Sequence, residues 1–95
     1  MFEKAKDLYK LQKQAKEIKK KLKATHIEAE ESGVIVTIDG EQEVQNIEIS
    51  DEAMQNKKKL QESIVKGFNK AIKKSQQIGA DLMKEVMGPM GFPGA

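Results

Sequence analysis

Hydrophobic positions along this chain recur at two periods, and the switch between them divides it into three parts. From residue 2 to 23, Phe2, Ala5, Leu8, Leu11, Ala15, Ile18 and Leu22 return at steps of three and four, with no glycine or proline between them. That spacing is the stripe of an amphipathic helix. From Val34 the period falls to two: Val34, Val36 and Ile38 alternate with Ile35 and Thr37, which predicts a strand rich in β-branched residues. The helical period returns from Lys57 to about Val86, through Leu60, Ile64, Val65, Phe68, Ala71, Ile72, Ile78, Leu82 and Met83. Gly67 and Gly79 weaken this second long helix locally, each by up to about 1 kcal/mol against alanine.

The middle part predicts three strands. Thr25 to Glu31 reads as a weak first strand with Thr25, Ile27 and Ala29 on one face, and its carboxylates suit a sheet edge. Ser32-Gly33 turns the chain into the strand from Val34. Asp39-Gly40 is a hairpin signal. A two-residue turn there would set Ile38 against Glu41, so a three-residue loop, Asp39 to Glu41, is preferred; it pairs Ile38 with Gln42 and Val36 with Val44. Ile47 and Ile49 then have the wrong parity, and one extra residue near Gln45-Asn46, a β-bulge, returns them to the apolar face. After Ile49 the stretch SDEAMQN holds several caps: Asp51 can start a short turn, and Asn56 can cap the second long helix. The expected protomer is α+β, in the order α-β-β-β-α, with a three-stranded antiparallel sheet and long amphipathic helices. Residues 1–87 form a single domain, and 88–95 form a flexible tail of Gly, Pro and Met. The first helix, at roughly 33 Å, must overhang strands of about 20 Å.

Composition turns this protomer toward self-association. Hydrophobic residues are 38% of the 95 and aromatics only four, so a self-sufficient core is doubtful. A symmetric homodimer completes it, with Ile35, Val36, Ile38, Val44, Ile47, Ile64, Phe68 and Ile72 as the expected core and dimer residues. No cysteine is present, which removes disulfides and thiolate metal sites. Neither a signal sequence nor a membrane-spanning run is visible, so the chain reads as cytoplasmic.

Charge changes the picture more. Residues 1–24 carry nine lysines and three acids (+6), residues 25–55 nine acids and no lysine (−9), and residues 56–95 eight lysines and three acids (+5), which sum to the net +2. At 100° per residue, Lys6, Lys10, Lys13 and Lys20 gather opposite the apolar face of the first helix. On the second long helix, Lys59, Lys66, Lys70, Lys73 and Lys84 do the same. Every strongly basic residue is lysine, a hydrated point charge without the planar fork of arginine; contact with nucleic acid would therefore favour phosphate over base edges. Three readings stand side by side: a solvated surface, a polyanion contact, or attachment to a membrane surface. The helices lack the Trp- and Phe-rich face that the last one favours.

Catalytic signals are missing. His26 is the only histidine and falls on an expected edge strand, where a surface role is the simplest. The glutamates of the strand region lack the spacing of a calcium loop. No Gly-rich phosphate loop, metal cluster or nucleophile with a base is present, so neither an enzyme, a cofactor nor a small-molecule substrate is expected.

Several segments together resemble one family. A basic helix starting at MF, then ESG, VIVTIDGEQEVQNIEIS and KLQESIVKGFNKAIKKSQ, then a Gly/Pro/Met tail, are similar in order to the YbaB/EbfC family of nucleoid-associated DNA-binding proteins. The most specific parts are VTIDG with EV and alternating isoleucines at 36–49, and GFNKA at 67–71. Two departures stand out. Ile49-Ser50-Asp51 replaces the family's usual I-D-P, and Gly67 replaces the alanine before Phe68. The resemblance implies a tweezer-like homodimer that binds double-stranded DNA in the nucleoid of a bacterial cytoplasm. The alternative is a dimeric structural or adaptor protein that binds another protein, with the lysines only solubilising.

Overall fold

A computed structural model describes residues 2–87. The tail at 88–95 lies outside the described residues, as do the side chains of 2–5 and 87. The elements follow the order α1 (Phe2–Ala24), β1 (His26–Glu31), β2 (Val34–Asp39), β3 (Val44–Ile49), α2 (Asp51–Met54) and α3 (Lys57–Met87). The three strands form one antiparallel sheet in the order β1-β2-β3. β1 is thus an edge, as its carboxylates suggested, and β3 is the other. The molecule measures 65 × 24 × 16 Å, because both long helices outrun the sheet.

Ser32 and Gly33 take φ of +46° and +85°, the mirror-image turn that lets two strands meet after two residues. Glu31 pairs with Val34, and the register runs to His26 opposite Asp39. The second hairpin differs from expectation. Ile38 pairs with Val44 and Val36 with Ile47, not with Gln42 and Val44. The loop is longer because Asp39 builds it. One carboxylate oxygen accepts from the backbone N–H groups of Glu41 (2.8 Å) and Glu43 (3.0 Å), and the other from Gln45 Nε2 (3.0 Å). Gln42 takes a φ of +66° to close the loop. The expected bulge is there: Thr37 pairs with Asn46 and Ile38 with Val44, which leaves Gln45 as the extra residue. Val44, Ile47 and Ile49 therefore share the face of Val34, Val36 and Ile38.

α3 lies across that face. The buried core is Ile27, Ala29, Val34, Val36, Ile38 and Ala71, with Leu60, Ile64, Phe68, Ile72 and Ile78 half-buried against it. Ile35, expected in the core, alternates out of it onto the face turned away from α3 and is only half-buried. Thr25 leaves the first strand: its hydroxyl donates to the Lys21 carbonyl at 2.7 Å, which ends α1. Ser50 caps α2 by accepting from Ala53 N (3.1 Å), and Asn56 caps α3 by accepting from Lys59 N (3.0 Å).

The two helical glycines have opposite roles. A Cβ on Gly79 would meet Leu22 Cδ2 at 3.8 Å, an ordinary contact, whereas one on Gly67 would lie 3.2 Å from Val36 Cγ2. Val36 is fully buried and β-branched, so it yields little. Gly79→Ala is expected to stabilise the fold by about 0.5–1 kcal/mol. Gly67→Ala is expected to gain nothing, since crowding at Val36 offsets its helix propensity. Thermal unfolding of the two variants checks both.

Candidate nucleic-acid interface

α3 starts beside the Ser32-Gly33 turn and reaches the far end of β2 at Ser75, whose buried hydroxyl donates, shared, to the carbonyls of Asp39 and Gly40 at 3.2 Å each. The dozen residues beyond Ser75 continue past the sheet by about 18 Å. α1 meets the same corner. Its Leu22 carbonyl accepts from Gly40 N at 2.8 Å and from Thr25 N at 3.2 Å, and Leu22 lies against Gly79. From this corner α1 runs back along the projecting end of α3, and half-buried Ile18, Leu22, Ile78 and Leu82 mark the seam. The result is an α/β layer with a two-helix arm.

The lysines divide between these parts. Lys6, Lys10, Lys13 and Lys20 are on α1 and Lys84 is near the end of α3, so these five belong to the arm. Lys59, Lys66, Lys70 and Lys73 follow the part of α3 that covers the sheet. All nine are exposed. On the sheet's other face Glu28, Glu30 and Glu48 are exposed, in register with Thr37 and Ile35. Charge is thus separated across the layer, basic on the helix side and acidic on the open side of the sheet.

One ridge lysine is not free. Lys70 Nζ lies 2.7 Å from Glu31 Oε2, the sole ion pair among the described residues, and donates to the Glu30 carbonyl at 3.2 Å. The hydrogen bond and charge of Lys70, with a smaller contribution from Lys66, hold the Glu31 carboxyl below its ordinary value. Lys74, which the helical pattern did not single out, donates to the Glu28 carbonyl at 3.0 Å. Its position four residues after Lys70, on the flank of α3 above β1, was the available signal. Asp39 and Ser75 also escaped the pattern, because each is a polar residue buried by its hydrogen bonds.

The expected core and dimer residues separate as well. Val36 and Ile38 are fully buried, while Val44 stays 48% exposed and Ile47 39%, together with Ile49 at 39%. Val65, on the flank of α3 above β3, is 59% exposed. Next to the sheet, exposed apolar surface therefore collects on the β3 side; a second exposed set, Leu8, Tyr9 and Leu11, lies on α1. Among the described residues no group of His, Cys, Asp or Glu is arranged to hold a metal, and no helix is long and apolar enough to cross a membrane.

Comparison with known proteins gives a consistent answer. The model of the YbaB/EbfC DNA-binding family matches residues 1–90. The crystal structure of an uncharacterized protein, HP0035 from Helicobacter pylori, superposes with a TM-score of 0.80 at 20% identity, covering 88% of this chain and 92% of that one. At that identity the likeness is one of fold. No curated protein sequence matches the chain.

Proposed function

The chain belongs to the YbaB/EbfC DNA-binding family, and from that premise we propose that it binds double-stranded DNA as a homodimer, through phosphate contacts from α1 and α3 with little base readout. The observation that carries this is the separation of charge across the layer. DNA approaching the helix side meets exposed lysines, and Glu28, Glu30 and Glu48 of the sheet face away from it. Lysine ammonium groups neutralise phosphates without discriminating bases, so binding is salt-sensitive and tolerant of sequence. This suits a protein that organises DNA in the nucleoid rather than one that marks single sites.

The dimer is supported by the apolar surface on the β3 side. Strand register points the backbone groups of Ile47 and Ile49 outward, since Glu48 and Asn46 oppose Ile35 and Thr37 across the bonded side of β3. A two-fold pairing of β3 with its copy would satisfy those groups and cover Val44, Ile47, Ile49 and Val65. The two arms would then project from one body and frame a basic gap.

A second reading draws on α1, where Leu8, Tyr9 and Leu11 are 61%, 68% and 51% exposed. Side chains of this kind on an arm fit an adaptor whose partner is another protein. The decisive experiment is a gel-shift series with random duplex DNA at two salt concentrations, beside light scattering. The proposal expects a dimer whose affinity falls steeply with salt. A folded dimer that leaves the duplex unshifted at low salt would favour the adaptor.

A further inference from the structure

A three-stranded sheet has two free edges, and in this one they are treated differently. In the hairpin closed by Ser32-Gly33, Glu31 and Val34 form the first hydrogen-bonded pair, so Glu28 and Glu30 direct their backbone groups away from β2, along the outer edge of β1. Those are the two carbonyls of β1 that lysines of α3 reach. Lys70 Nζ donates to Glu30 O at 3.2 Å and Lys74 Nζ to Glu28 O at 3.0 Å. Lys70 is fixed in place by its ion pair with Glu31. Among the described residues no side chain hydrogen bond reaches the outward groups of Ile47 and Ile49 on β3.

We propose that Lys70 and Lys74 close the outer edge of β1 to strand addition, so that association through the sheet is directed to β3 and stops at two copies. The inference rests on the homodimer reading and names what limits it. A sheet with two open edges could also add copies β1 to β3, a head-to-tail contact that does not close and grows into filaments. To add at β1, an incoming strand must displace two charge-assisted hydrogen bonds and cover two ammonium groups. A second β1 would in addition set glutamates against Glu28 and Glu30. Pairing of β3 with β3 meets neither obstacle, and it leaves only two guarded edges on the outside. Two lysines of α3 thus serve the assembly and not the phosphate contact.

The test is light scattering on the full chain, without DNA, for Lys70→Gln/Lys74→Gln against two controls. Lys66→Gln/Lys73→Gln removes the same charge from positions that do not bond the β1 edge. Lys70→Arg/Lys74→Arg keeps charged donors at the edge. Circular dichroism verifies folding, and Lys74→Gln alone, which retains the Glu31 ion pair, serves if the double variant unfolds. The native chain and both controls are expected to hold the mass of two chains at all concentrations. The edge variant is expected to roughly double its mean mass or more as concentration rises about tenfold, because its contact no longer closes. An edge variant, double or single, that stays a folded dimer throughout overturns the guard and leaves the homodimer intact. A native chain that remains a monomer overturns the homodimer reading itself. Growth of the Lys66/Lys73 control to the same extent also overturns the guard, because charge alone would then explain the effect.

Discussion

Replacing Lys59, Lys66 and Lys73 together by glutamine is expected to weaken DNA binding without unfolding the protein. Glutamine is nearly as good a helix former as lysine, and all three side chains are exposed and outside the Lys70–Glu31 ion pair. Lys70 is left in place, because its removal would also break its bonds to Glu31 and Glu30 and mix stability with affinity. Each lost phosphate contact lowers the slope of log affinity against log salt by about 0.9. Three contacts on each protomer of the dimer, six in all, change the slope by about 5.4, which between 50 and 200 mM salt is roughly a 2,000-fold difference in how far affinity falls. The loss should be the same for every duplex sequence, since ammonium groups neutralise phosphate and read little else. Lys6, Lys10 and Lys13 on α1 form the parallel triple, and it should act alike if the arm grips DNA. A folded variant with unchanged affinity and slope would remove that ridge from the contact surface. If both triples behaved that way, the lysines would be a solvated surface.

Gly40→Ala is expected to cost about 2–4 kcal/mol and to loosen the arm. A Cβ at Gly40 would lie 2.8 Å from Leu22 Cδ2, 2.8 Å from Leu22 O and 2.9 Å from Leu22 Cα. Two of these atoms are backbone and cannot rotate away. The same glycine donates its N–H to Leu22 O, and its own carbonyl takes the Ser75 hydroxyl. The end of α1, the end of β2 and the middle of α3 are thus joined at one residue, and moving any of them disturbs the other two. A lowered unfolding temperature with reduced DNA affinity is the expected pair of results. Gly79→Ala is the control, because the same addition there meets only ordinary contact. Unaltered unfolding of Gly40→Ala would mean that α1 is not seated at this corner.

Both experiments test features that were legible to different degrees. The period-3.6 stripes around α1 and α3, the alternation in β2 and the turn residues at Ser32-Gly33 determine the elements, since periodicity and turn chemistry are local properties of the chain. Parity alone placed a bulge near Gln45-Asn46, because only an added residue could return Ile47 and Ile49 to the apolar face, and the structure puts it at Gln45. Segregation of lysine from carboxylate was equally open to reading.

What only the tertiary structure decided lies in hydrogen bonds and packing that periodicity does not encode. The second hairpin's loop followed the hydrogen bonds of the Asp39 carboxylate and not the shortest turn that kept the apolar face together. Ile35 and Val36 are neighbours of similar hydrophobicity, yet the position of α3 buries Val36 fully and leaves Ile35 on the open face. Lys66, Lys70, Lys73 and Lys74 are one residue type on one helix. Two of them bond carbonyls of β1 about forty residues away, while the others face solvent. A helical wheel assigns an angle to each lysine but not what stands opposite it. That depends on where the sheet lies under the helix, which packing of the whole chain determines.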